Sequence, residues 1–132
     1  MLFLRDSVRL NTDVYGAFRY LTKATYIEKW WHEMPEIIND EPYERVTWKL
    51  KTSEDMPIKL AFHIMRCAVK TEYCTEIHLV IPFEKDTDRS SETYLEAQRF
   101  GARVLEMLRV HFNKKWVITD KDLSLSEFRQ SL

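Results

Sequence analysis

Residues 58–83 read IKLAFHIMRCAVKTEYCTEIHLVIPF, and the two alternations inside this stretch decide the fold. Ile58, Leu60, Phe62 and Ile64 form the apolar side of one strand, and Ile77, Leu79, Ile81 and Phe83 form that of another. Each has the two-residue period of a half-buried strand. A symmetric hairpin closed around Lys70-Thr71 sets Ile64 opposite Ile77, Phe62 opposite Leu79, Leu60 opposite Ile81 and Ile58 opposite Phe83. All of these pairs share one face, and a slip of one residue would scatter them.

The pattern extends upstream. Val46, Trp48 and Leu50 alternate with Thr47, Lys49 and Lys51, and the polar stretch from Thr52 to Pro57 is a loop. Pairing this strand with the next sets Leu50 with Ile58, Trp48 with Leu60 and Val46 with Phe62, again on the same face. A short strand is expected near Glu36 to Ile38. Leu2, Leu4, Val8 and Leu10 make a first strand whose apolar side is interrupted by Asp6. Thr12 or Asp13 then offers a side-chain oxygen as a helix cap. Val14, Phe18 and Leu21 fall on one helical face, and a second short helix, about Ala24 to His32, carries Ile27, Trp30 and Trp31. Pro35 marks its break.

A broad apolar sheet face needs a cover, and the amphipathic run from Ser91 to Phe112 supplies one. Ala97, Gly101, Val104, Leu105, Leu108 and Phe112 make its apolar stripe. Beyond Lys114-Lys115 the pattern dissolves. Residues 1–117 therefore read as the domain and 118–132 as a polar tail, with one short docked turn through Leu123, Leu125 and Phe128.

A chain of 132 residues is one domain. Its 45% hydrophobic and 13% aromatic content excludes disorder for the main body. Twenty basic residues against 21 acidic ones give no basic excess, so nucleic acid is not the expected partner. Arg5 and Asp6 follow too soon after Met1-Leu2-Phe3-Leu4 for a secretory signal, and no apolar run approaches the ~20 residues of a membrane span. The two cysteines, Cys67 and Cys74, are then expected as reduced thiols in the cytoplasm. Only two glycines occur, Gly16 and Gly101, both inside helix-like runs. Gly-rich phosphate loops are excluded, and the hairpin turns must be made by other residues.

The segment Leu21-Thr22-Lys23 through Trp30-Trp31, followed by strands and a last helix containing Gly101, resembles the START-like or SRPBCC superfamily, the birch-pollen-allergen-like helix-grip domains. The nearest resemblance is to bacterial relatives of the activator of heat-shock protein 90 ATPase. It spans Leu2 to Phe112, with Ala102 where relatives often have tryptophan after the glycine. The resemblance implies an α+β helix-grip fold, a curved antiparallel sheet wrapped on a long C-terminal helix. Relatives commonly place six strands between helix pair and last helix. Only about fifty residues separate His32 from Glu84 here, enough for three long strands and one short one. Such domains hold an apolar molecule or lipid between sheet and helix, bind protein partners, or in a few cases act as cyclases or hydrolases.

The hairpin register also sets Cys67 opposite Cys74 and His63 opposite His78, on the face away from the helix. Residues four apart on a strand are roughly 13 Å apart, so the two pairs cannot share one tetrahedral zinc. No metal and no cofactor is expected. Trp30, Trp31, Trp48, Phe62, Leu79, Leu105 and Phe100 either line a ligand cavity or fill the core. Gly101 either leaves space for a ligand or lets a sheet aromatic rest on the helix backbone. Asp6, and Arg66 with Tyr73 beside it, either line the polar end of a pocket or sit at the wet rim of the sheet. His111 is expected near the C-terminus of the last helix. No spacing suggests a nucleophile, so no catalytic residue is assigned. The leading expectation is an apolar-ligand binder. The alternatives are a protein-interaction module or homodimer using Ala61, Met65, Cys67 and Val80 of the outer sheet face, and a cyclase-like enzyme.

Overall fold

Each apolar alternation becomes a strand with one face on a common core. The structure is a computed structural model that describes residues 2–67, 74–84 and 86–123, without the side chains of residues 39, 40 and 114–123. In chain order the elements are β1 (Phe3–Leu10), α1 (Val14–Thr22), α2 (Ala24–Ile27), β2 (Glu36–Glu41), β3 (Arg45–Lys51), β4 (Pro57–Arg66), β5 (Thr75–Pro82) and α3 (Glu92–Leu123). The strands form one antiparallel sheet in the order β1-β5-β4-β3-β2.

The expected register holds. Phe62 faces Leu79, Ile64 faces Ile77, His63 faces His78 and Arg66 faces Thr75. One strand over, Val46 faces Phe62, Trp48 faces Leu60 and Leu50 faces Ile58. β1 joins the far edge of β5, with Leu4 opposite Ile81 and Val8 opposite Ile77. β2 runs further than the short strand expected, and its register shifts between Ile38 and Glu41.

The scarcity of glycine is met at two turns. Tyr43 and Asp55 adopt left-handed backbone with φ of 66° and 68°. Aspartate tolerates this conformation, whereas a tyrosine needs compensation. The Tyr43 ring supplies it by packing 4.6 Å from Phe18 and 5.0 Å from Tyr15, centroid to centroid. Around Asp55 the buried Thr52 hydroxyl accepts the amides of Glu54 and Met56 at 3.3 and 3.2 Å and donates to the Glu96 carboxylate. That last bond ties the β3–β4 loop to α3.

Of the two candidate caps, Asp13 does the work, accepting the Gly16 amide at 2.7 Å. α2 is shorter than expected, ending at Ile27. The chain tightens there, with the Trp30 amide bonded back to the Ile27 carbonyl at 3.1 Å. The tightening brings the Trp30 indole N–H to the Tyr20 carbonyl at 2.8 Å. α3 is longer than expected and runs to Leu123. His111 is therefore mid-helix rather than near its end, its ring 5.0 Å from that of Tyr20. Leu125 and Phe128 lie outside the described residues.

Candidate functional site

The residues expected to hold a ligand are brought together, and they pack on one another. Trp30 stacks on Trp48 at 5.3 Å, Trp48 meets Phe62 edge-on at 5.1 Å, and Trp31 meets Phe100 edge-on at 5.7 Å. The Trp48 indole N–H donates to the Leu21 carbonyl at 2.8 Å, so the helix pair is hydrogen-bonded to the sheet through the core. Trp48, Phe62 and Leu79 have no solvent exposure, and Leu105 is buried beside them.

Gly101 shows how closely α3 sits. A Cβ there would lie 3.1 Å from Ile81 Cδ1 and 3.2 Å from Leu79 Cδ2. The glycine thus faces side chains rather than open space, and these are aliphatic, so neither of the two alternatives read from the sequence, ligand space or a sheet aromatic, is what meets it. Helix propensity favours Gly101→Leu by most of ~1 kcal/mol. Overpacking against Leu79 and Ile81 costs about 1–3 kcal/mol and outweighs it. Gly101→Leu is expected to lower the melting temperature, and an unchanged or raised value would show that the grip is roomier than this contact implies.

The polar candidates go elsewhere. Asp6 is exposed on β1 and accepts the amide of Ser7 at 2.8 Å. Arg66 is exposed at the end of β4, opposite Thr75, whose hydroxyl donates to the Thr12 carbonyl at 2.7 Å. Both occupy the rim rather than the interior. Tyr73 lies outside the described residues. Cys67 and Cys74 face each other as expected, but they are joined as a disulfide with Cα atoms 5.4 Å apart rather than standing as free thiols. Among the described residues no group of three or more His, Cys, Asp or Glu side chains is placed to hold a metal ion, and no helix is long and apolar enough to cross a membrane.

The outer sheet face collects what the linear sequence disperses. Facing pairs share a side, so Arg5, Arg9, Arg45, Lys49, Lys51 and Lys59 lie on this face and, among the described strand side chains, are joined there by three carboxylates, Glu36, Glu41 and Glu76. The whole chain carries a formal charge of −1. Two of the carboxylates are engaged on the face itself, Glu76 by Arg9 at 3.0 Å and Glu41 by Arg45 at 3.9 Å. Among these charges Met65, Phe3 and Ile38 are exposed. A depression of about 480 Å³ runs between β1, β5 and β4, lined by Arg5, Asp6, His63, Met65, His78 and Val80 among others, so Asp6 reaches it from the edge strand. The overall charge balance hid this concentration, because the cations are spread over three strands and converge only through the register.

His63 reports the field of that face. Its pKa is lowered, first by burial and then by the positive charges of Arg45 and His78, with Arg5 adding to them and Glu41 opposing. A histidine harder to protonate when folded makes the unfolded chain the better proton acceptor, so its contribution is intact above the unfolded value near 6.5 and is lost as pH falls through it. Glu76, whose carboxyl is lowered by hydrogen bonds from His78 and then Arg9, acts in the same direction at lower pH. The melting temperature is expected to fall from neutral pH toward about pH 5.5, and less steeply in His63→Gln. An identical slope in that variant would place the titrating group elsewhere.

No family model matches the chain, and no curated protein matches it in sequence. Solved structures do match it in fold. An AHSA1 protein from Silicibacter pomeroyi superposes with a TM-score of 0.60 at 12% identity, over 86% of this chain and 99% of that one. A Staphylococcus epidermidis protein gives 0.57 at 12% identity, over 86% and 90%. The Aha1 dimer of Colwellia psychrerythraea gives 0.51 at 12% identity, over 83% and 98%. What these share with the present chain is the α+β helix-grip fold, sheet, helix pair and long last helix included.

Proposed function

We propose that this chain is a protein-interaction module of the helix-grip fold, which docks its outer sheet face onto an acidic partner. The observation that carries the reading is the excess of cations around exposed Met65 and Phe3 on a chain that is slightly acidic as a whole. Complementary charge steers encounter and selects partners, while the apolar patch supplies the contact that holds. An apolar molecule at Gly101, where the family resemblance first implies one, would have to push Leu79 and Ile81 away to enter. The open space between sheet and helix lies instead at the start of α3, about 300 Å³ lined by Leu50, Ile58, Phe83 and Ala97 among others, so the interaction reading rests on the outer face and not on a filled interior.

A photo-crosslinking residue at position 65, with one at the exposed Met107 of α3 as control, tests this in native cells. Adducts to an acidic protein from position 65 alone, lost in Lys49→Glu/Lys59→Glu and weakened by salt, support it. Equal labelling from both positions, or none from position 65, would sink it. Self-association is a second reading, favoured because one matched structure is a dimer. Adducts between two copies of the chain, with a doubled mass in sedimentation, would select it.

A further inference from the structure

The β4–β5 hairpin carries its two cysteines one rung beyond the last ladder pair, Arg66 with Thr75. The Cys67 amide donates to the Cys74 carbonyl at 3.2 Å, and the two Cα atoms stand 5.4 Å apart. That separation is the ladder's own, because hydrogen-bonded facing residues lie about 5.5 Å apart whether or not a covalent bond joins them. It is also close to the preferred Cα spacing of a disulfide. The backbone therefore holds both sulfurs within bonding reach in either redox state, and closing the bridge asks for no rearrangement of the strands.

The bridge lies outside what holds the fold together. The core cluster is built without either cysteine, and Thr75 ties the hairpin to the rest of the chain by donating its hydroxyl to the Thr12 carbonyl. The cysteines are seven positions apart, and so short a ring constrains the unfolded chain less than a long one does. Cys74 is half-buried and Cys67 is 9% exposed, so Cys74 is the one a small reagent meets first. What the bridge does adjoin is the outer sheet face. By strand alternation Cys67 follows the exposed Met65, and Cys74 precedes Glu76, the residue that faces Met65. Glu76 in turn accepts from Arg9 at 3.0 Å and is bonded to His78 at 2.9 Å. A hairpin opens from its end, so a covalent tie at this rung orders the Met65–Glu76 row beside it.

We infer that Cys67 and Cys74 form a reversible thiol–disulfide site, closed by a small-molecule disulfide and reopened by the corresponding thiol, whose closure tightens the Met65–Glu76 end of the outer face. With glutathione disulfide as the oxidant the exchange balances in two steps. The Cys74 thiolate attacks one glutathione sulfur, the glutathione S–S bond breaks and one glutathione thiolate leaves. The Cys67 thiolate then attacks the Cys74 sulfur of the mixed disulfide and expels the second glutathione thiolate. Two electrons pass from the cysteine sulfurs to glutathione, and the two protons lost by the cysteines end on its thiols. Order at this end of the face is a property of the chain alone and does not rest on the docking reading.

The full chain is equilibrated with glutathione disulfide and then with millimolar reduced glutathione, and each state is trapped by alkylation and read by intact mass and peptide mapping. Complete closure within one chain, and complete reopening without denaturant at unchanged circular dichroism, is the expected result. Hydrogen exchange then compares the two states. Amides of residues 64–66 and 75–77 are expected to exchange about tenfold or more slowly in the closed state, while those of β3 stay the same. Cys67→Ser/Cys74→Ser is expected to fold and to exchange as the reduced chain does, whatever the oxidant. A bridge that opens only on unfolding, closure only between chains, equal exchange in the two states, or a double variant that does not fold each overturns the inference. Faster glutathione adduct formation in Cys67→Ser than in Cys74→Ser supports Cys74 as the first nucleophile, and the reverse order overturns that step. Crosslinking from position 65 reads a partner rather than the sulfurs, so this inference and the proposed function fail separately.

Discussion

A chain ended after Glu92 is expected not to fold. That truncation removes Ala97, Val104, Leu105 and Leu108, all buried, together with the helix backbone at Gly101 on which Leu79 and Ile81 rest. Fully burying a large aliphatic side chain is worth roughly 1.5–3 kcal/mol. Val104, Leu105 and Leu108 alone therefore approach the ~5–15 kcal/mol by which a whole domain is stable, before the sheet residues they uncover are considered. Circular dichroism and a thermal melt should show no cooperative transition. Ending the chain after Val117 instead keeps every described core side chain of α3 and should move the melting temperature little. A shortened chain lacking α3 that still melts cooperatively near the full-length value would disprove the grip as the source of stability.

Trp48→Ala is expected to be the most damaging single substitution. Trp48 has no exposure, lies between the rings of Trp30 and Phe62, and donates its indole N–H to the Leu21 carbonyl. Removing a buried aromatic ring typically costs about 3–5 kcal/mol through lost transfer energy and the cavity left behind. The orphaned Leu21 carbonyl adds about 1–3 kcal/mol if water cannot reach it. Chemical denaturation should show a large fall in the midpoint, or an insoluble product. Trp48→Phe keeps most of the ring and should cost markedly less. Equal losses in the two variants would mean that the carbonyl bond rather than the ring dominates. A loss below about 1 kcal/mol in Trp48→Ala would contradict the packing described.

Much of the fold was legible because strand faces repeat every two residues and helix faces every three or four. The hairpin of Ile64 with Ile77 and Phe62 with Leu79, the neighbouring pair of Trp48 with Leu60, and the stripe of α3 all follow from that periodicity. The helix ends were less legible. α2 stops at Ile27, and the turn that follows holds the Trp30 indole on the Tyr20 carbonyl, ten residues back in the chain, a contact that local periodicity does not encode. The Cys67–Cys74 pairing was readable from the register, but the state of the sulfurs was not.

The candidate site was the less legible part. The tryptophans were visible in the sequence, but whether such rings line a cavity or fill a core depends on how near the helix stands to the sheet. The close approach of Ile81 and Leu79 to Gly101 sets that distance, and no local pattern encodes it. The same holds for charge. Arg5, Lys49 and Lys59 are unremarkable along a chain with almost balanced charges, and they become one basic face only when β1, β5, β4 and β3 align. By itself the sequence determined the elements, their apolar faces and the pairing of neighbouring strands, because each depends on residues a few positions apart. Tertiary structure alone decided that Leu79 and Ile81 close on Gly101, that cations gather on the outer sheet face, and that Trp31 buries its indole nitrogen without a hydrogen-bond partner among the described residues. Each of those depends on groups distant in the chain being held at contact range.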